Sequence, residues 1–221
     1  TAYEIASCLV GSEMCIRDRG KLSKAIEAYS KALSIKPDYV EALVNMGNVL
    51  KGVIFKKPYE GIHRQIISIL DQKTSVRPID IAKTVISLLK FEPNLQKHLQ
   101  SVDGRLIENP LDVISDLSKM PLLLKLMSVC PLPDLELEKL LQNLRRSILS
   151  NVSSLEEASV ELLRFQSALA LQCFTNEYIY NNTEEEEKIL QSLEASIKKA
   201  LKNKEQPSPQ AILALALSLI H

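Results

Sequence analysis

"GKLSKAIEAYSKALSIKPDY", residues Gly20 to Tyr39, is the stretch whose reading decides the fold. Ala25, Tyr29 and Ala32 recur at spacings of four and three, which places them on one face of a helix with Ile26 and Leu33 at its borders. Small residues at 25 and 32 let a neighbouring helix come close, and the Tyr29 ring fills the gap between them. Pro37 disfavours the α conformation at Lys36 and so ends the helix. A second apolar period opens after Asp38 in "YVEALVNMGNVLKG", with Leu43, Met46, Gly47 and Leu50 inward, Gly47 again allowing close contact. The spacing predicts two helices joined by a short turn.

In this register the residues resemble the tetratricopeptide repeat, a helix-turn-helix unit of about 34 residues. The resemblance makes Gly20 the opening of a second helix, Ala25, Tyr29 and Ala32 its small-aromatic-small signature, and Pro37 its closing proline. Leu43, Met46, Gly47 and Leu50 then form the first-helix signature of the next repeat, where Trp, Leu, Gly and Tyr are commonest. Leu43 and Leu50 depart from that pattern. The match covers residues 20 to 52.

The same register tests the flanks. One repeat earlier the pattern wants Leu and then Gly or Ala, and Ser12 and Glu13 stand there. The preceding first helix is missing. "SCLVGSEMCIRDR", Ser7 to Arg19, resembles a translated sequencing-adapter tract, so residues 1–19 are set aside from fold reasoning, and the closing "LSLIH" is a second candidate of that kind. Downstream, Tyr59, His63 and Ile66 stand where Ala, an aromatic and Ala belong, and Pro58 interrupts just before them. The array is expected to end there. A stable stack takes roughly three repeats, so one and a half must lean on the helices downstream, and the chain is expected to be a fragment that catches the end of an array.

The remaining pattern is helical. Ile62, Ile66, Ile69 and Leu70 share a face, and so do Ile79, Ala82, Val85, Ile86 and Leu89. Pro93, Pro110, Pro121, Pro131 and Pro133 cut the middle into short helices, with a turn expected at Gly104. Leu137, Leu141, Leu144 and Ile148 mark one longer helix, and Leu155, Ala158, Leu162, Phe165 and Leu169 another. Ser154 with Glu157 and Thr183 with Glu186 have capping-box spacing, which predicts helix starts near 154 and 183. The second of these would turn Leu190, Leu193, Ile197 and Leu201 inward. Pro207 and Pro209 set off a final apolar segment. This divides the chain into residues 1–19, a repeat remnant at 20–56, a connecting region at 57–120, a helical domain at 121–206 and a terminal segment at 207–221.

Composition agrees with an all-α fold: a hydrophobic share of 46 %, six glycines, four Phe, six Tyr and no Trp. Lys plus Arg equals Asp plus Glu at 27 each, and no basic block of the phosphate-neutralising kind is present, so nucleic acid is not an expected partner. No apolar run reaches the roughly 20 residues that cross a bilayer. Cys8, Cys15, Cys130 and Cys173 are scattered without a CxxC pair or a His at ligand spacing, which suits buried thiols in a reducing, cytoplasmic compartment and no metal.

Catalytic chemistry is not legible. The six glycines never form GxG, GxGxxG or a P-loop, so no cofactor site is expected. Cys173 with His63 or His98 has the residue types for nucleophilic catalysis, yet it lies in the apolar "ALALQCF", where a core thiol is the simpler reading. Glu184 to Glu187 have the chemistry for a cation, or equally for a solvated first helical turn favoured by the macrodipole. Asn176, Glu177, Tyr178 and Tyr180 form a polar-aromatic cluster that suits either a contact site or a helix end with half-buried rings.

The repeat resemblance implies a site. Glu41, Val44, Asn45, Asn48 and Lys51 fall on the helix face that in this family lines the concave groove and grips extended peptides. Asn45 stands where related repeat proteins, protein glycosyltransferases among them, set a ladder of asparagines against a peptide backbone. An uncharged amide both donates and accepts hydrogen bonds, which suits that task. Exposed Asn and Glu on a helix are equally compatible with a plain solvated face.

Residues 121–190, from "PLLLKLMSVCPLPDLELEKLLQNLRRSIL" to "FQSALALQCFTNEYIYNNTEEEEKI", are similar to the helical segment between repeats and catalytic domain in a bacterial group of S-adenosylmethionine-dependent methyltransferases. That similarity implies a catalytic domain beyond His221. The expectation is a non-catalytic module binding a protein or an extended peptide. The alternatives are the recruiting part of a methyltransferase, less favourably of a glycosyltransferase, and a structural adaptor.

Overall fold

The computed structural model describes residues 19–59, 61–72, 76–100, 107, 109–152, 159–177, 180 and 182–218. Among them are eleven α-helices and no strand. The expectations for residues 1–18, the Gly104 turn, the Ser154–Glu157 box and Tyr178 lie outside the described residues. The chain divides into two compact units, one ending at Phe91 and the other starting at Glu92.

The first unit begins with α1 (Arg19–Ile35) and α2 (Val40–Leu50), joined by the turn that Pro37 enforces and packed against each other. Ala25, Ile26, Tyr29, Ala32 and Leu33 are buried on α1, and Leu43, Met46, Gly47 and Leu50 on α2. Gly20 lies in the first turn of α1. Beyond Gly52, whose φ of 75° suits a residue without a Cβ, an extended segment leads to α3 (His63–Asp71) and then α4 (Pro78–Leu89). Tyr59 and His63 are only half-buried while Ile66 is fully buried, so these three positions do not make the shared face another repeat would need.

Helix α2 packs on α3 and α4 as well as on α1. Two hydroxyls on α4 fasten the chain leaving α2. Thr84 Oγ1 donates to the Leu50 carbonyl at 2.7 Å, satisfying one of the acceptors that a helix end leaves over. The Phe55 amide donates to Ser87 Oγ at 2.9 Å. On α4 the expected stripe needs one correction. Ile79 is 43 % exposed, because the core of this helix centres on Ile81, Val85 and Leu88 and leaves residue 79 outside.

The second unit contains α5 (Pro93–Leu99), α6 (Pro110–Ser118), α7 (Pro121–Val129), α8 (Leu135–Ser150), α9 (Val160–Thr175), α10 (Glu184–Lys202) and α11 (Pro209–Leu215). Four of these begin with proline at N1, where the missing N–H costs nothing. Helix α9 packs on α6, α7 and α11 through Leu162, Phe165, Ala168 and Leu169, and α8 packs on α5, α6 and α10. Thr183 and Glu186 form the expected capping box. Helix α9 starts at Val160, where Ser159 accepts the Leu162 amide and caps it; the start expected near 154 lies outside the described residues. One expectation is corrected. On α10 only Leu190 of the expected stripe is buried; Leu201 is 61 % exposed, because partners cover the front of the helix and not its end.

Candidate peptide-binding face

Helix α2 turns two faces in opposite directions. Leu43, Met46, Gly47 and Leu50 point into the first unit, and the 3.6-residue period leaves Glu41, Val44, Asn45, Asn48 and Lys51 on the other side. Glu41, Asn48 and Lys51 are exposed, and Val44 and Asn45 are half-buried. Gly47 explains how tightly the buried side is drawn in. A Cβ there would meet Val76 Cγ2 at 2.9 Å and Ile69 Cγ2 at 3.3 Å. The glycine read as a close-approach residue is one, and its neighbours are α3 and the segment entering α4.

The ends of the face differ electrically. At the first end the Tyr39 hydroxyl donates to Glu41 Oε2 at 3.1 Å, and Lys36 Nζ stands 5.7 Å from the Tyr39 ring centroid. At the other end Lys51 Nζ lies 3.5 Å from Asp80 Oδ2, and Arg77 donates to Asp80 Oδ1 at 2.9 Å. The Arg77 hydrogen bond holds the Asp80 carboxyl below its ordinary range, with the charges of Arg77 and Lys51 adding to the effect. Two cations therefore share one carboxylate. Asp80 and Arg77 did not stand out in the sequence. The available signal was a charged pair bracketing Pro78 at a helix start, with nothing to connect it to residue 51.

The other candidate residues lie in different surroundings. Cys173 is fully buried on α9, and burial pushes its thiol up to about 11 despite the nearby Arg145 charge. His98 Nε2 lies 3.0 Å from Asp116 Oδ2, in an ion-pair cluster with Lys97 and Lys119. Tyr180 accepts a long hydrogen bond from Asn176 Nδ2, 3.4 Å, and burial pushes its hydroxyl up to about 12. Glu177, exposed, has a φ of 53° at the end of α9. Of the acidic run, Glu184, Glu185 and Glu187 are exposed. Glu186 is not solvated: it is buried and pairs with Arg145 at 3.1 Å.

That pair belongs to a network missed in the sequence. Arg145 is the largest fully buried side chain among the described residues. Its Nε donates to the Leu217 carbonyl at 2.8 Å, and Nη2 bonds to Asn182 Oδ1 and Ser218 Oγ. Arg145 sits beside the Leu141, Leu144 and Ile148 stripe, and a cation at that position was the available signal. Among the described residues no group of three or more His, Cys, Asp or Glu could hold a metal ion, and no helix is long and apolar enough to cross a membrane.

Residues 16–52 match the family model of a TPR repeat, the helical hairpin that α1 and α2 build. A TPR repeat suggests a protein-protein interaction module and implies protein partners in general. No curated protein and no solved structure shows a significant match to the chain.

Proposed function

We propose that this chain is a non-catalytic interaction module that holds an extended peptide or protein segment along the outward face of α2. The observation that carries this reading is the division of α2 itself. One side is locked into the core through Gly47, while on the other Asn48 is exposed and Val44 and Asn45 are half-buried. A rigid helix with its inner side fixed presents the outer side in one geometry, which keeps the ordering cost of binding low. Two amides one turn apart match the repeating N–H and C=O groups of an extended backbone.

A peptide array probed with the full chain tests this. Binding is expected to fall at least about tenfold in the Asn45→Ala, Asn48→Ala double variant, a loss of roughly 1.4 kcal/mol. Unchanged binding with an unchanged thermal midpoint would remove the face from consideration.

A further inference from the structure

Helix α11 is inside out. Gln210, its only polar side chain, is buried, while Ile212 is 48 % exposed and Ala211, Leu213 and Leu215 are half-buried. A helix that is apolar on every side is ordinarily covered on every side, and α11 is covered only where it packs on α9 and α10. On α10 the last apolar residue, Leu201, is 61 % exposed. Positive charge gathers at the same corner. Residues 193–216 carry Lys198, Lys199, Lys202 and Lys204 against Glu194 and Glu205. Lys198 takes Glu194 at 2.6 Å, which leaves Lys199, Lys202 and Lys204 exposed and paired with no carboxylate among the described residues. The acids of α10 stand at its other end, in the first turn.

We infer that this corner of the second unit, the end of α10 with the outer side of α11, lies on an anionic lipid surface. Aliphatic side chains enter the boundary between headgroups and acyl chains, and lysines beside them reach the anionic headgroups. The composition separates this from a protein contact: protein interfaces are enriched in aromatic residues, Met and Arg and poor in Lys, and the corner offers Ile, Leu, Ala and Lys. A second copy meeting its own image here would bring like charges together. The acidic first turn of α10 does not cancel the attraction. Glu185 and Lys202 are separated by about 25 Å of helix, roughly three Debye lengths at physiological salt, so the acids are screened and the molecule is held with that end away from the lipid. The helix macrodipole favours lysines at a C-terminus whatever its role, yet it gives no reason for exposed aliphatic residues beside them. With seven residues α11 lies on the surface and does not cross it. The inference is independent of the α2 face.

The test is flotation of the full chain with vesicles of phosphatidylcholine alone and of phosphatidylcholine mixed with phosphatidylserine. Binding is expected only where phosphatidylserine is present, and it should fall as salt is raised. Lys199→Gln, Lys202→Gln and Lys204→Gln should each weaken it by about fivefold, and Ile212→Gln by at least as much. Lys188→Gln makes the same change of charge near the other end of α10 and should leave binding unaltered. Glu205→Gln should tighten it, a gain that no loss of fold can produce. Equal weakening by Lys188→Gln would reduce the effect to net charge and overturn the inference, and so would binding that ignores phosphatidylserine or does not occur. If sedimentation velocity without vesicles shows a dimer that Ile212→Gln dissolves, the face belongs to a second copy. If soluble polyglutamate binds more tightly than the vesicles do, it belongs to an acidic protein. Either outcome refutes the lipid.

Discussion

Gly47 and Val76 approach so closely that a single added carbon on the glycine would lie 2.9 and 3.1 Å from the two valine methyls. Val76 is itself buried and β-branched, so it has little freedom to turn aside. In an exposed helix Gly→Ala gains about 1 kcal/mol of helix propensity, but overpacking a core costs about 1–3 kcal/mol. Gly47→Ala is therefore expected to destabilise the protein, and Val76→Ala in the same molecule should recover part of the loss. Urea denaturation of both single variants and the double variant measures the coupling. Additive effects would mean that the two residues do not touch.

The Arg145–Glu186 pair, 1 % and 5 % exposed, is expected to behave as a desolvated pair and not as a surface one. Glu186→Gln keeps the capping geometry and leaves the guanidinium buried beside a neutral group. Removing one partner of such a pair costs about 3–5 kcal/mol. Replacing both, with Arg145→Met and Glu186→Leu, should cost less than either single change. Thermal melts of the three variants decide this, and a loss under about 1 kcal/mol in Glu186→Gln would show that water reaches the pair.

Gln166 on α9 is fully buried, and neither atom of its amide has a hydrogen-bond partner among the described residues. A buried amide without partners costs about 1–3 kcal/mol. Gln166→Met fills a similar volume without the polar group, and it should raise the thermal midpoint. A lowered midpoint would mean that the amide is satisfied in solution.

Burial pushes the thiols of Cys130 and Cys173 up to about 11, from 9.0 for the free group. Each acid is thus harder to ionise in the folded chain. The stability it contributes is complete below pH 9.0 and is lost as pH rises from 9.0 toward 11. Urea midpoints should fall across that window, and less so in Cys173→Ala than in the parent when each is referred to its own value at neutral pH. Peptide-resolved alkylation below pH 9.0 should leave both residues unlabelled until denaturant is added.

The hairpin is readable because close helix approach leaves a local record. Ala25, Tyr29 and Ala32 mark by their sizes the buried side of α1, and Gly47 marks the side of α2 that is drawn against α3 and the segment entering α4. The cap of α9 escapes the sequence for a different reason. Ser159 has Leu162 and not Glu or Gln three residues on, so no capping-box spacing marks it, yet its oxygen accepts the Leu162 amide. Periodicity likewise identifies the apolar stripe of α10 but carries no information on how far a partner extends, so it turns Leu201 inward although that end of the helix is uncovered. The Lys51–Asp80 contact and the Arg145 network join residues far apart in sequence, and no local pattern encodes such pairings.

The long reach of Arg145 has a consequence for synthesis. Its partners Leu217 and Ser218 come 72 and 73 residues later, after α9, α10 and α11 have been made. While the chain emerges from the ribosome, α8 carries a guanidinium destined for the interior with no acceptor yet translated. Asn182 and Glu186 follow 37 and 41 residues after Arg145, so its acceptors are made in two instalments and the set is complete only once residue 218 has been added.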